Sequence, residues 1–156
     1  MDEGLNGKVH IVTGAGAHRD GIGNGRAAAI LLADAGASVL VVDQNAGAAG
    51  RTVEMIEEKG GVAAAFEADV SVGEDCEAMV ERALALWGRL DVLDNNVGVG
   101  SCGSVVDESA NRWRRVMKIN VENVFLASKT RIPAMIATGA GANVNVSSIL
   151  PAKRWS

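Results

Sequence analysis

The sequence predicts an α/β fold, a doubly wound parallel sheet truncated after its fifth strand, and three observations predict it. Short apolar runs alternate with amphipathic helical stretches from Val9 to Ser148. A glycine-rich loop, Gly14 to Gly25, follows the first run. The second run is followed directly by an acid, Asp43. Alternation of this kind sets the strands parallel, joined by right-handed crossovers. Ligands in such sheets bind outside the carboxyl ends of the strands, near the point where strand order reverses.

Each element has a local reason. Val9, Ile11 and Val12 mark the first strand, which ends at Thr13. Arg26 to Ala35 is a helix with Ala27, Ile30 and Leu31 on one stripe. Ser38 to Val42 is a nearly continuous apolar run, as expected of a strand covered on both faces. Ala46 to Lys59 is a helix stopped by Gly60-Gly61. Val62 to Phe66 is the third strand. Glu74 to Trp87 is the clearest helix, because Cys76, Met79, Val80, Ala83, Leu84 and Trp87 recur at helical spacing. Leu90 to Asp94 is the fourth strand. A long helix from Ser109 to Ala137 sets Trp113, Val116, Met117, Val121, Val124 and Phe125 on one side, and Pro133 is expected to kink or end it. Ala142 to Ser148 is the fifth strand. The whole is a Rossmann-type arrangement in a single domain, residues 1–156, without repeats or linkers. It places Gly14, Asp43, Asp69, Asn96 and Ser148 along one edge.

Composition narrows the function classes. Hydrophobic residues make up 48% and charged residues 22%, which is enough apolar material for a buried core. The net charge of −4 and the lack of a basic run argue against nucleic acid. Arg112, Arg114, Arg115 and Lys118 read as a solvated helix face. Cys76 and Cys102 lie far apart with no CxxC, and the two histidines are scattered. Free thiols in a reducing cytoplasm are therefore expected, with no metal site. No signal peptide is expected at Met1 to Gly4, and no apolar stretch is long enough for a membrane span.

The glycine loop and Asp43 carry the first functional argument. Glycines let the backbone approach a pyrophosphate closely, and the helix that follows offers free N–H groups and the positive end of its dipole. Gly23-Asn24-Gly25-Arg26-Ala27-Ala28 fits GxGxxA. Asp43, at the end of the second strand, can accept both ribose hydroxyls of an adenosine. It would repel a 2′-phosphate, so the expected cofactor is NAD in preference to NADP.

With these residues in view, the chain resembles the short-chain dehydrogenase/reductase family over nearly its whole length. Thr13-Gly14 through Gly23 resembles the TGxxxGIG loop of that family. Asp69-Val70 resembles its acidic-apolar pair after the third strand, which contacts adenine. Asn95-Asn96-Val97-Gly98 is similar to its NNAG motif, which steadies the sheet and lines the adenosine pocket. Asn120 matches its active-site asparagine, and Ser148, the second of the pair Ser147-Ser148, matches its active-site serine. The resemblance implies cofactor binding by Gly14, Gly21, Ile22, Gly23, Gly25, Asp43, Asp69, Val70, Asn96 and Gly98. It implies catalytic roles for Ser148, which would bond the substrate oxygen, and for Asn120, which would hold a water in a proton relay. Read without the family, Asn120 is a cross-brace to a neighbouring strand or that relay amide. The implied activity is hydride transfer between NAD and a small-molecule alcohol or ketone. The long helix resembles one that packs between subunits in family tetramers, and its apolar stripe is core or subunit interface. A homo-oligomer is expected of a full-length form.

The chain departs from the family pattern in several places. Its glycine loop is longer, with His18-Arg19-Asp20 inserted, and the turn glycines are either Gly21 and Gly23 or Gly23 and Gly25. Asp94 replaces an apolar residue at the end of a buried strand and needs a donor or exposure. Asn143 and Asn145 make the fifth strand unusually polar. The family's proton donor is a tyrosine in a YxxxK pair beyond the serine, and the sequence has no tyrosine. The expectation is a domain incomplete at its C-terminus that is inactive alone. The alternatives are a non-enzymatic NAD-binding module and a fragment completed by another chain.

Overall fold

The computed structural model describes residues 4–17, 21–101 and 103–147. Ser148, the loop residues His18, Arg19 and Asp20, and Cys102 lie outside the described residues. The strands are β1 (Val9–Thr13), β2 (Ser38–Asp43), β3 (Val62–Glu67), β4 (Val92–Asn95) and β5 (Ala142–Asn145). All pairings are parallel, in the order β3-β2-β1-β4-β5. The order reverses between β1 and β4, because the chain builds outward from β1 to β3 and then crosses back.

Alternation along the central strands explains the two-sided burial. Val9 and Ile11 of β1 join Leu40 and Val42 of β2 in one core cluster. Val12, Val39 and Val41 join the other. Successive side chains point to opposite faces, so both sets must be apolar when both faces are covered. Helices α1 (Asn24–Asp34) and α2 (Ala46–Glu57) cover the second cluster through Ala29, Ile30, Ala33 and Ile56. Helix α3 (Gly73–Trp87) covers the first through Cys76, Met79 and Ala83.

Local chemistry sets the helix ends. The Asn45 side chain accepts from Ala48 N at 3.0 Å and caps α2. Glu74 and Asp75 lie in the first turn of α3, where the helix dipole favours acids. Gly88 ends α3 at φ 71°, a conformation that glycine adopts without the steric cost of a Cβ.

The long helical region differs from expectation. Helix α4 (Ala110–Met117) passes into a π turn (Lys118–Glu122) and on into α5 (Asn123–Thr138). Pro133 neither ends nor breaks it, since α5 runs on to Thr138. The proline and Lys129, whose carbonyl loses its N–H partner, are both exposed. The apolar stripe is not core here: Trp113, Met117, Val121 and Phe125 are exposed, and Ile132 and Ile136 continue the exposed face. Strand β5 is a sheet edge with all four residues exposed, which fits its polar sequence.

Three ties fix β4. Asp91 accepts from Val9 N at 2.9 Å and from Arg89 Nη2 at 2.6 Å, with Lys8 Nζ at 3.3 Å. Asn95 Nδ2 donates to Asn143 Oδ1 and Asn145 Oδ1 at 3.1 and 2.9 Å, so the two strand asparagines anchor the edge. Thr13 Oγ1 donates to the Asp94 carbonyl at 3.1 Å.

Candidate functional site

The carboxyl ends of β1 to β4 enclose a cavity of about 460 Å³. Gly14, Asp43, Asp69, Val70, Asn96 and Gly98 line it together. At the extremes they are 84 residues apart in sequence, and the parallel sheet brings them to one edge. Gly21, Ile22, Gly23 and Gly25 do not line that wall.

The glycine loop is built on two close approaches. A Cβ on Gly25 would lie 2.4 Å from the Gly14 carbonyl oxygen and 2.5 Å from Asn96 Nδ2. The first turn of α1 therefore presses directly on the end of β1. A Cβ on Gly16 would lie 2.6 Å from the carboxyl carbon of Asp43. Gly23 is the residue before α1, and Gly21 has open space around it. Crowding at the start of the helix thus falls on Gly25, and Gly14 supplies a positive φ of 63°.

Asp43 is fixed by backbone donors. Gly16 N donates to Oδ2 at 2.9 Å and Asn45 N to Oδ1 at 3.0 Å. Each oxygen keeps a further lone pair for a ligand hydroxyl. On the adjacent strand end, the N–H of Ser71 and then its side chain hold Asp69 below the usual carboxylate range; burial opposes this and Lys118 assists. Asp69 is therefore an ionised acceptor at neutral pH. Asn96 N donates to Thr13 Oγ1 at 3.1 Å, and its amide approaches the Gly14 carbonyl.

Asn120 sits in the π turn beside the loop that follows β4. Its Oδ1 accepts from Val99 N and its Nδ2 donates to the Val99 carbonyl, both at 2.8 Å. Ile119 and Lys118 before it line the cavity, as does Arg115. Arg112, Arg114, Arg115 and Lys118 are all exposed, and two of the four also meet the cavity.

Asp94 obtains little of the exposure that the sequence requires, and its Oδ1 obtains no donor. It is 8% exposed, and its Oδ1 has no partner among the described residues. Burial alone pushes its carboxyl above the usual range. His10 is also buried with both ring nitrogens unpartnered among the described residues, and burial lowers its pKa, so it is a neutral strand residue.

Sequence reasoning passed over Gly16, Thr13, Arg26 and Thr52. Thr52 carried a signal: it falls between Ala49 and Ile56 on the buried stripe of α2, where a hydroxyl must find a partner. Thr13 carried another, as the polar end of an apolar strand. Gly16 and Arg26 gave no local sign of their partners.

A family model described as short chain dehydrogenase matches residues 8–156. Cyclohexanol dehydrogenase of Acinetobacter sp. (strain SE19) is 41% identical over 150 residues, 96% of this chain and 58% of that protein. The 7alpha-hydroxysteroid dehydrogenase of Escherichia coli (strain K12) is 37% identical over 93% of this chain and 54% of its own length. A solved 7 alpha-hydroxysteroid dehydrogenase complexed with NADH and 7-oxo glycochenodeoxycholic acid superposes with a TM-score of 0.82 at 37% identity, covering 89% of this chain and 52% of that one. The chain spans about half the length of the curated relatives it matches. No helix among the described residues is long and apolar enough to cross a membrane.

Proposed function

The chain belongs to the short-chain dehydrogenase family, and from that premise we propose that its residues bind the adenosine side of NAD, as the cofactor half of an oxidoreductase acting on a small alcohol or ketone. The observation that carries this reading is Asp43. Two backbone N–H groups hold its carboxylate on the cavity wall with lone pairs to spare. Such an acid accepts ribose hydroxyls and repels a 2′-phosphate, which favours NAD over NADP.

The cavity fits the group. Gly14, Gly16 and Gly25 leave backbone where a side chain would collide, so the loop can come close to a diphosphate. Asp69 and Val70 take the adenine, and Asn96 and Gly98 line the same cavity. When bound, the nicotinamide supplies the hydride acceptor. Asn120 holds Val99, which lines the cavity, and in the whole protein it supports a water in the proton relay. Ser148 bonds the substrate oxygen there and stabilises the charge that develops on it.

Binding and turnover are separate properties here. The 156 residues contain no tyrosine, and we read them as binding NAD without turning over an alcohol by themselves. The whole protein acts in the cytoplasm on a small-molecule substrate. It self-associates, a reading supported by the exposed stripe of Trp113, Met117, Val121 and Phe125. Cyclohexanol and steroid alcohols, named for the relatives, head the substrate panel.

The test is titration of NAD and NADP into wild type and Asp43→Ala. Wild type is expected to prefer NAD by about tenfold or more, and the variant to lose that preference. Equal affinity of the wild type for the two cofactors would overturn the reading of Asp43.

A further inference from the structure

Arg26 is only 2% exposed, in the first turn of α1. No carboxylate among the described residues pairs with it. Its Nε donates to Thr52 Oγ1 at 2.9 Å, and its two terminal nitrogens donate to the carbonyls of Gly21 and Ala48 at 3.0 and 3.3 Å. Thr52 Oγ1 in turn donates to the Ala15 carbonyl at 2.8 Å. Ala15 and Gly21 belong to opposite arms of the glycine loop, on either side of the inserted residues. Arg26 and Thr52 therefore tie both arms to α2 and to each other.

The partners of Arg26 are a hydroxyl and two carbonyls, one for each guanidinium nitrogen, and they leave its charge uncompensated. Burying an unpaired cation is costly, and the cost falls when an anion comes near. One candidate anion, Asp43, accepts from Gly16 N and Asn45 N and makes no ion pair with Arg26. Ala48, whose carbonyl Arg26 holds, lines the cavity beside Gly16 and Ala17. The positive charge thus sits behind the wall that faces the loop, in low dielectric where screening is weak.

We propose that Arg26 is a positioning residue for the diphosphate of a bound nucleotide: it holds the two arms of the glycine loop through Gly21 and the Thr52–Ala15 bond, and its unpaired charge attracts the anion through the cavity wall. The inference rests on the dinucleotide reading above. It extends that reading from the residues that line the cavity to a buried cation that does not.

The test compares adenosine with ADP as ligands of the 156-residue chain, by calorimetric titration at two salt concentrations. Wild type is expected to bind ADP more tightly than adenosine. Arg26→Gln is expected to lose about tenfold in ADP affinity, with adenosine affinity unchanged and a flatter salt dependence for ADP. Arg26→Lys keeps the charge and is expected to keep the preference for ADP. Thr52→Val keeps the charge and cuts the tie to Ala15, and is expected to lose less ADP affinity than Arg26→Gln. If Arg26→Gln weakens both ligands equally, or neither, the inference fails while the dinucleotide reading stands. If wild type binds neither ligand, both fail together. Should Arg26→Gln not fold, Arg26→Lys decides, and loss of its preference for ADP overturns the inference.

Discussion

Val99 and Asn120 hold each other through two hydrogen bonds of 2.8 Å, one in each direction. The side-chain amide of Asn120 thereby serves the loop after β4 as a strand neighbour would, taking up both the N–H and the carbonyl of one residue. It does so from the π turn that joins α4 to α5. The brace keeps the segment from Asn96 to Val99 against the cavity.

Replacing Asn120 with Ala removes both bonds and leaves the Val99 backbone groups to solvent. The expected loss is about 1–2 kcal/mol of stability, read from the urea midpoint. An unchanged midpoint would show that the brace contributes nothing.

Asp91 gives the fold an acid-sensitive tie. Burial opposes its ionisation, but Arg89, the Val9 N–H and Lys8 together hold its pKa at about 2, below the ordinary 3.8. A depressed folded pKa stabilises the fold fully above the unfolded value, and that stability is lost as pH falls from about 4 through about 2. Asp91→Asn is expected to cost about 2 kcal/mol at neutral pH and nearly nothing at the acid end of that window. A pH-independent difference between the two proteins would contradict this assignment.

Asp94 works in the opposite sense. Its folded pKa is raised by burial, so the carboxyl opposes folding at neutral pH. That penalty is absent below the unfolded value of 3.8 and grows as pH rises through it toward the folded pKa. Asp94→Leu is expected to gain about 1–2 kcal/mol at pH 7 and to lose that advantage in acid. A destabilised variant at pH 7 would mean that Asp94 has a partner in solution.

The two glycines that compete for the turn of the loop separate by substitution. Gly25→Ala drives a methyl into the Gly14 carbonyl and the Asn96 amide, so a loss of about 1–3 kcal/mol is expected. Gly21→Ala meets nothing within 4 Å and is expected to be near neutral. Thermal midpoints of the two variants check the contrast, and equal midpoints would refute the packing at Gly25.

Much of the fold was legible because its causes are local. Val39 to Val42 are apolar without a break because helices cover both faces, and Cys76 to Ala83 recur at helical spacing because one side of α3 is buried. The cavity residues Asp43, Asp69 and Asn96 were legible by position, since each lies at or just past a strand's carboxyl end. Pro133 does not end its helix although its helix propensity is poor, and α5 is held on both sides of it: Thr130 reaches the Cys76 carbonyl and Met135 packs into the core. The direction of the apolar stripe from Trp113 to Phe125 was not legible, because periodicity gives a face but not what the face meets.

The sequence by itself determined the order of strands and helices, the family, and the edge at which a ligand would lie, all of which follow from periodicity, turn residues and chain order. Tertiary structure decided the rest: that Asn120 spends its amide on Val99, that Arg26 is buried beside Thr52, and that Asp94 is enclosed without a donor on its Oδ1. These depend on groups 21 to 26 residues apart, or on a whole sheet face, meeting in space. No pattern along the chain encodes such a meeting, because the partner of a buried polar group is fixed only when the helices and strands have packed.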